Sequence, residues 1–544
     1  MSSKKEHWEA LAERLPEPDS ESPINSLTVP HGASPVDKVI ILPGNGVTIS
    51  DCAEKLFTQI AATETMFLRG GEIVEVLPDG CERLHLKHVP PTAFRSRIEK
   101  FGQTFAWRVG AGHHLVLKPT GCAEDTAKAL MASEAVQRLL PPISLITGCP
   151  VAIRVGETMK VLPKGYHRDH FGILITTGAT PIQWNPRTAV CLLNWLIHEF
   201  DFVSPGDRAR AFAMLLTPAL KMGGIIRGPI PIGVLEADQS QAGKGFFTSL
   251  AAAVYNDQPV IVPQRRGGVG SYDESFSQAL VNGRPFVLLD NFRGKLDSAY
   301  IESFLTAPGT FPARVPNRGS IDVDPARFVL MMTSNGVEMT PDLANRSSIV
   351  RIRKREGYAY RPYQDGDLIQ FVHAHQGMFL GAVFSLIAEW FRQGRPRTDM
   401  ANHDFREWAQ TLDWIVQWAG LGPLLADHRS AQVRVSSPAT TLLRKLALTV
   451  QTTRRLEQEF TASDLCTLCK DADVTIEIPG LLVDDKDQAM KQMGSLMAKL
   501  FGERDTVTIE SFQVSRRHVQ VPRPGGGHRP GWLYRFTAAG KESL

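Results

Sequence analysis

The sequence has no apolar run near the roughly 18 residues that crossing a bilayer requires, so no membrane partner is expected. Cysteine is sparse. There are seven, an odd number scattered along 544 positions, which argues against a disulfide framework and for a reducing, cytoplasmic setting. Excess charge of one sign is also missing: the net is +3, so any nucleic-acid contact has to come from local patches. The first stretch, MSSKKEHWEALAERLPEPDSESP, lacks the apolar centre of a secretion signal. Internal repeats and long low-complexity runs are absent too. What is present is globular composition, 43% hydrophobic and 22% charged, in a chain long enough for three or four cores.

Residues 1–36 read as a flexible tail, and 37–187 as an α+β domain of unassigned role. In the latter, strand-like runs (VDKVIILPG, GGEIVEVL, ERLHLKHV) mix with helix-like ones (CAEKLFTQIAATE, TAFRSRIEKF). One helix is predicted over 122–140, stopped by Pro141-Pro142. Across 188–360, short buried-type strands (GPIPIGVLEA, PVIVP, PFVLLD, RFVLMMTSN) alternate with helix-like segments, which predicts an α/β core with a mainly parallel sheet. Residues 361–435 form a helical region rich in Trp and Phe. Residues 436–544 start helical and end in two strand-like pieces around a Gly-Pro-Arg loop, the pattern of a basic, winged-helix-like domain.

The chemistry concentrates after GPIPIGVLEA, in EADQSQAGKGFFTSL. A phosphate-binding loop needs a strand to deliver it, inward backbone N–H groups and a helix start behind them. This stretch has that context. Against the pattern G-x-x-x-x-G-K-[ST], however, Asp238 replaces the first Gly and Gly245 replaces the Ser or Thr. The candidate nucleotide-binding set is Ala242, Gly243, Lys244, Gly245 and, one turn on, Thr248. Lys244 would reach the β- and γ-phosphates and Gly243 would admit close backbone approach. In 286-FVLLDN-291 a buried strand ends in Asp290, at the sheet edge where ligands of open α/β folds sit. A carboxylate there suits Mg²⁺, which keeps much of its water shell. In 328-FVLMMTSN-335, Asn335 is placed to orient an attacking water. Arg346 follows, positioned to serve a neighbouring subunit's site as an arginine finger.

Four elements in this order resemble the AAA+ ATPases, and within them the superfamily-3 type helicases and the primase-helicases of phages, plasmids and integrated elements. The stretches DFVSPGDRARAFAMLLTP and VNGRPFVLLDNFRGKLDSAYIESFLTAP match as well, so the resemblance covers 195–355 best. It implies ATP with Mg²⁺ as cofactors and a homo-hexameric ring on single-stranded or forked DNA. A separate primase or replication protein would be a partner, since no primase motif set is visible. Asn291 stands where many relatives carry a Glu base, so Glu274 in 272-YDESF-276 becomes the candidate base, and Asn291 joins the catalytic set only by position. The alternative for Glu274 is a solvated first-turn acid. By the same resemblance, the hairpin signal around Asn317-Arg318-Gly319 would line a central pore, with Arg314 and Arg318 on DNA. The loop 264-QRRGGVG-270 is a second pore candidate.

Arg516, Arg517, Arg523 and Arg529, in a segment without acidic residues, would contact phosphates from the winged-helix-like domain. Cys466-x-x-Cys469 lacks a second ligand pair for zinc, and His167 and His170 read as strand or surface histidines. A lid arginine is to be chosen among Arg392, Arg395 and Arg397. Three readings follow. The first is an ATP-driven DNA helicase or translocase of a mobile element. The second is a nucleotide-gated DNA-binding initiator or helicase-recruiting module. The third is an inactive scaffold, prompted by Asp238, Gly245 and Asn291.

Overall fold

The computed structural model describes residues 39–79, 83–110, 115–237, 241–264, 271–315, 319–355, 367–400, 402–436, 438–471, 486–502, 504–509, 511–522 and 528–538. The tail 1–36, Asp238, Arg265 to Gly270, Arg318 and Arg523 lie outside them.

Residues 39–139 form a core of their own. Val39–Ile41 pairs in parallel with Gln103–Val109, and Met66–Arg69, Glu72–Pro78 and Leu84–His88 make an antiparallel sheet. The helix predicted over 122–140 is two, Glu124–Met131 and Glu134–Leu139. The break has a local cause. Ser133 Oγ donates to Leu130 O at 2.6 Å, competing for a carbonyl that the continuous helix needs.

The central sheet is built from β1 (Asp201–Phe202), β2 (Ile232–Glu236), β3 (Val260–Val262), β4 (Phe286–Leu296), β7 (Val329–Met339) and β8 (Ser347–Arg353). Strands β5 (Phe311–Val315) and β6 (Gly319–Val323) form a separate hairpin. The spatial order in the sheet is β1-β8-β2-β7-β4-β3. All neighbours are parallel except β1 with β8. Every residue of β2 is buried, as its unbroken apolar run requires of a parallel strand covered on both faces. Helix α1 (Pro205–Met222) lies against β8 and is buried along nearly its whole length. Residues 145–175 and the helices between 368 and 436 share one contiguous core with this sheet.

Two polar devices tie the unit together. Arg210 on α1 is fully buried and donates to Ile349 O (2.6 Å), Leu424 O (3.0 Å), Ala426 O (2.9 Å), Asp207 Oδ1 (2.8 Å) and Asp427 Oδ1 (2.9 Å). It thereby fixes the entry to α5 (His428–Ser436). The second device sits at the turn after α3 (Tyr272–Val281), which takes three hydrogen bonds from the preceding region. Buried Arg69 donates to Leu280 O (2.8 Å), Leu86 N to Asn282 O (3.0 Å) and Ile146 N to Gly283 O (3.0 Å). Burial pushes the Arg69 guanidinium down to about 10.

Residues 442–536 have a separate core. Helices Pro438–Thr452, Ala462–Asp471 and Lys486–Phe501 pack on an antiparallel sheet ordered Glu459–Phe460, His528–Ala538, Phe512–Pro522, Thr506–Ile509. No single helix among the described residues is long and apolar enough to cross a membrane.

Candidate nucleotide site at the carboxyl edge of the sheet

Strand β2 lies between β8 and β7, and its last residue, Glu236, pairs with Ser334 and Arg351. The chain then crosses to α2 (Lys244–Ala253). Gly243, with φ +89°, caps that helix in the left-handed region, where an L side chain is strained. A Cβ there would also press on the Phe200 ring at 3.3 Å. Lys244 opens the helix, largely buried, and its Nζ donates to Asn335 Oδ1 at 2.5 Å. The loop lysine and Asn335, within β7, are therefore brought together.

Asp290 joins them through β7. The register runs Leu289↔Met332 and then Phe292↔Ser334, so Asp290 and Asn291 together face Thr333. This is a β-bulge, a device that re-aims side chains and collects near active sites. Thr333 Oγ1 donates to Asp290 Oδ1 at 2.6 Å and accepts from Asn291 N at 2.7 Å. Asn291 itself has φ +48°. Asn is enriched in that left-handed conformation and Glu is not. The choice of Asn at 291 thus has a backbone reason independent of any role as a base.

Other predicted residues fall elsewhere. Thr248, proposed as a substitute for the missing hydroxyl at 245, is fully buried and its Oγ1 donates to Gly245 O at 2.9 Å. The hydroxyl is engaged within its own helix turn. Gly245 is exposed, with nothing within 4 Å of an added Cβ. Ala242 lies in the loop beside Gly243, partly exposed. Glu274 sits in the first turn of α3, its N–H capped by Ser271 Oγ at 3.4 Å. Arg346 ends α4 (Pro341–Asn345) just before β8. Its carbonyl accepts from Ile232 N at 3.0 Å, at the start of β2. Arg346 therefore lies at the opposite edge of the sheet from its own loop, 3.9 Å from Asp342.

Arg314 is exposed on the β5–β6 hairpin, opposite Ser320. Arg516 is held within its own domain. Its guanidinium stacks on Phe501 (5.0 Å) and Trp532 (4.4 Å), donates to Gly502 O at 2.8 Å and is largely buried, so in this structure it is engaged internally. Arg517 is exposed but paired bidentately with Glu459 at 2.6 and 2.5 Å. Arg529 belongs to the strand His528–Ala538, opposite Val521. Arg392, Arg395 and Arg397 pair with Glu389, Glu157 and Glu407, none at the loop. Besides Arg351, an arginine that reaches this edge is Arg434 on α5, in a buried ion pair with Glu236. A buried Glu ending a covered strand demands a cation, but nothing in the sequence says which. Thr333 was likewise missed.

Among the described residues no group of three or more His, Cys, Asp and Glu is placed to hold a metal ion. A cation at Asp290 would have one protein carboxylate, with phosphate oxygens and water completing its shell, which is the set Mg²⁺ favours. Cys466 and Cys469 are buried on one helix, and burial pushes the Cys469 thiol up to about 12.

No family model and no curated protein matches the sequence. Among solved structures, the chain is similar to the A-form apo structure of the NrS-1 C-terminal region, with TM-score 0.28 and 8% identity, covering 86% of this chain and 96% of that one. It is also similar to SCCmec type IV Cch, described as an active helicase, with TM-score 0.28 and 10% identity, covering 87% of this chain and 97% of that one.

Proposed function

We propose that this chain is an ATP-dependent DNA helicase or translocase with a P-loop AAA+ core, serving replication of a phage, plasmid or integrated element. One observation carries the reading. Lys244, at the start of α2 after the β2 loop, Asn335 on β7 and Asp290 on β4 converge at one sheet edge through the Lys244–Asn335 and Thr333–Asp290 bonds. Lys244 would neutralise the β- and γ-phosphates, and the first-turn N–H groups of α2 would cradle them. Asn335 would orient water, and Glu274 remains the candidate base. Asp290 would hold Mg²⁺, whose contribution is charge neutralisation at the transferred phosphoryl group.

Arg346, at the far edge from its own loop, fits a finger aimed at a second copy, hence a ring of identical subunits. The exposed Arg314 on its hairpin is the candidate pore contact with single-stranded DNA. The C-terminal order of helices and antiparallel strands supports a winged helix. With Arg516 internal and Arg517 paired, however, it offers fewer free cations than the initiator reading needs.

The test is ATP turnover by the full chain with and without single-stranded DNA, alongside strand separation on a forked duplex. DNA-stimulated turnover that disappears in Lys244→Ala and in Asp290→Ala is expected. Undiminished turnover in both variants rejects the site. Turnover and footprinting without strand separation selects the initiator.

A further inference from the structure

We propose that Thr333 is a positioning residue for a divalent cation at Asp290, and that the left-handed Asn291 is its backbone counterpart rather than a base. The inference rests on the nucleotide–Mg²⁺ reading of the same edge.

The hydroxyl of Thr333 has its direction forced. The Asn291 N–H can only donate, so Thr333 Oγ1 accepts there and must spend its own proton elsewhere. It spends it on Asp290 Oδ1. Oδ1 is thereby held by the strand, and Oδ2 is the carboxylate oxygen that this bond leaves for a cation. The bulge explains why a side chain is needed. With Asp290 and Asn291 sharing one partner residue, the ladder between β4 and β7 is interrupted. The Thr333 hydroxyl bonds both residues of the bulge. Thr333 is 2% exposed, so water does not compete for the contact.

Two features make orientation matter more here than in a complete loop. Gly245 contributes no hydroxyl to a metal. Thr248 has turned its own hydroxyl back to Gly245 O. Within the described part of the candidate set, Asp290 is then the carboxylate placed for the cation, and a ligating carboxylate is ordinarily held by a second hydrogen bond from behind. Thr333 supplies that bond.

The experiment measures the affinity of the full-length protein for a fluorescent ATP analogue, in Mg²⁺ and in EDTA, for wild type, Thr333→Val, Thr333→Ser and Asn291→Gly. Outer-shell partners of this kind are worth 10- to 100-fold in metal affinity. Thr333→Val should therefore lose about tenfold or more of the Mg²⁺-dependent gain in affinity while its EDTA affinity stays at wild type. Thr333→Ser, which keeps the hydroxyl, should restore the gain. Asn291→Gly, which keeps both the N–H and the left-handed backbone, should retain it. A wild-type Mg²⁺ gain in Thr333→Val, or its loss in Thr333→Ser or Asn291→Gly, overturns the proposal. If Thr333→Val loses EDTA affinity and so has not folded, Thr333→Ala is read by the same criteria. If the wild type itself shows no Mg²⁺ gain, or Asp290→Asn keeps it, the nucleotide reading fails instead. That outcome is distinct from a gain lost in Asp290→Asn but kept in Thr333→Val.

Discussion

Mild acid should loosen the central unit through two histidines. His403 and His428 are buried with ring centres 5.5 Å apart, and both direct Nε2 at Ser347 O, at 3.4 and 3.0 Å. Each donates as a neutral imidazole. Burial pushes His403 down to about 4. It pushes His428 down to about 3, with the Arg210 guanidinium and His403 adding to the effect. In the unfolded chain each titrates near 6.5. Above that pH both states are neutral and the pair adds no pH dependence. Below it the unfolded chain takes up protons that the folded one refuses, so stability falls as pH drops from 6.5 towards the folded values. At pH 5 the loss comes to about 2 kcal/mol per histidine, roughly 4 for the pair. The assay is urea unfolding followed by tryptophan fluorescence at pH 7.5 and pH 5; Trp408 reports directly, its ring 5.2 Å from His403. Wild type should lose about 4 kcal/mol more between the two pH values than a His403→Gln, His428→Gln double variant, whose side-chain amides cannot titrate. Equal losses in the two proteins would refute the buried-neutral assignment.

Two further outcomes are expected. Gly245→Ser enters open space on a helical turn, so it should fold at least as well, gaining a few tenths of a kcal/mol by helix propensity. It should also lower the Mg²⁺ concentration that half-saturates nucleotide turnover, and a clear drop in melting temperature would contradict the geometry. Arg210→Met takes from buried Asp207 its closest cation and from three carbonyls their donor, and should cost about 3–5 kcal/mol in urea unfolding. A loss below about 1 kcal/mol would show that the arginine is not the brace described.

Much of the site was legible because burial writes itself into composition. Ile232 to Leu235 and Phe286 to Leu289 read as strands since both faces are covered. The polar residues at their ends mark the sheet edge. What was not legible depends on partners in space. Asn291 reads as a failed base because pattern matching compares residue types, whereas its φ is set by a bulge opposite Thr333. Arg516 counts as positive charge in any tally, yet two aromatic rings from distant positions enclose it. Arg434 lies 198 residues from Glu236, and no periodicity links them. Strand β4 reads as ending at Asp290, but beyond the bulge it resumes to Leu296.

The turn at Leu280 to Gly283 bears on how this protein can be divided. Its three carbonyls, bonded by Arg69, Leu86 and Ile146, stand between Glu274 at the head of α3 and Asp290 on β4. A fragment cut at residue 188 would shed all three donors at once, together with the residues of 145–175 that share the sheet's core. The preceding domain therefore behaves less like a detachable module than like the missing half of a hinge. Inheritance, fusion or engineering of the candidate ATPase has to carry residues 39–187 with it, or rebuild that turn.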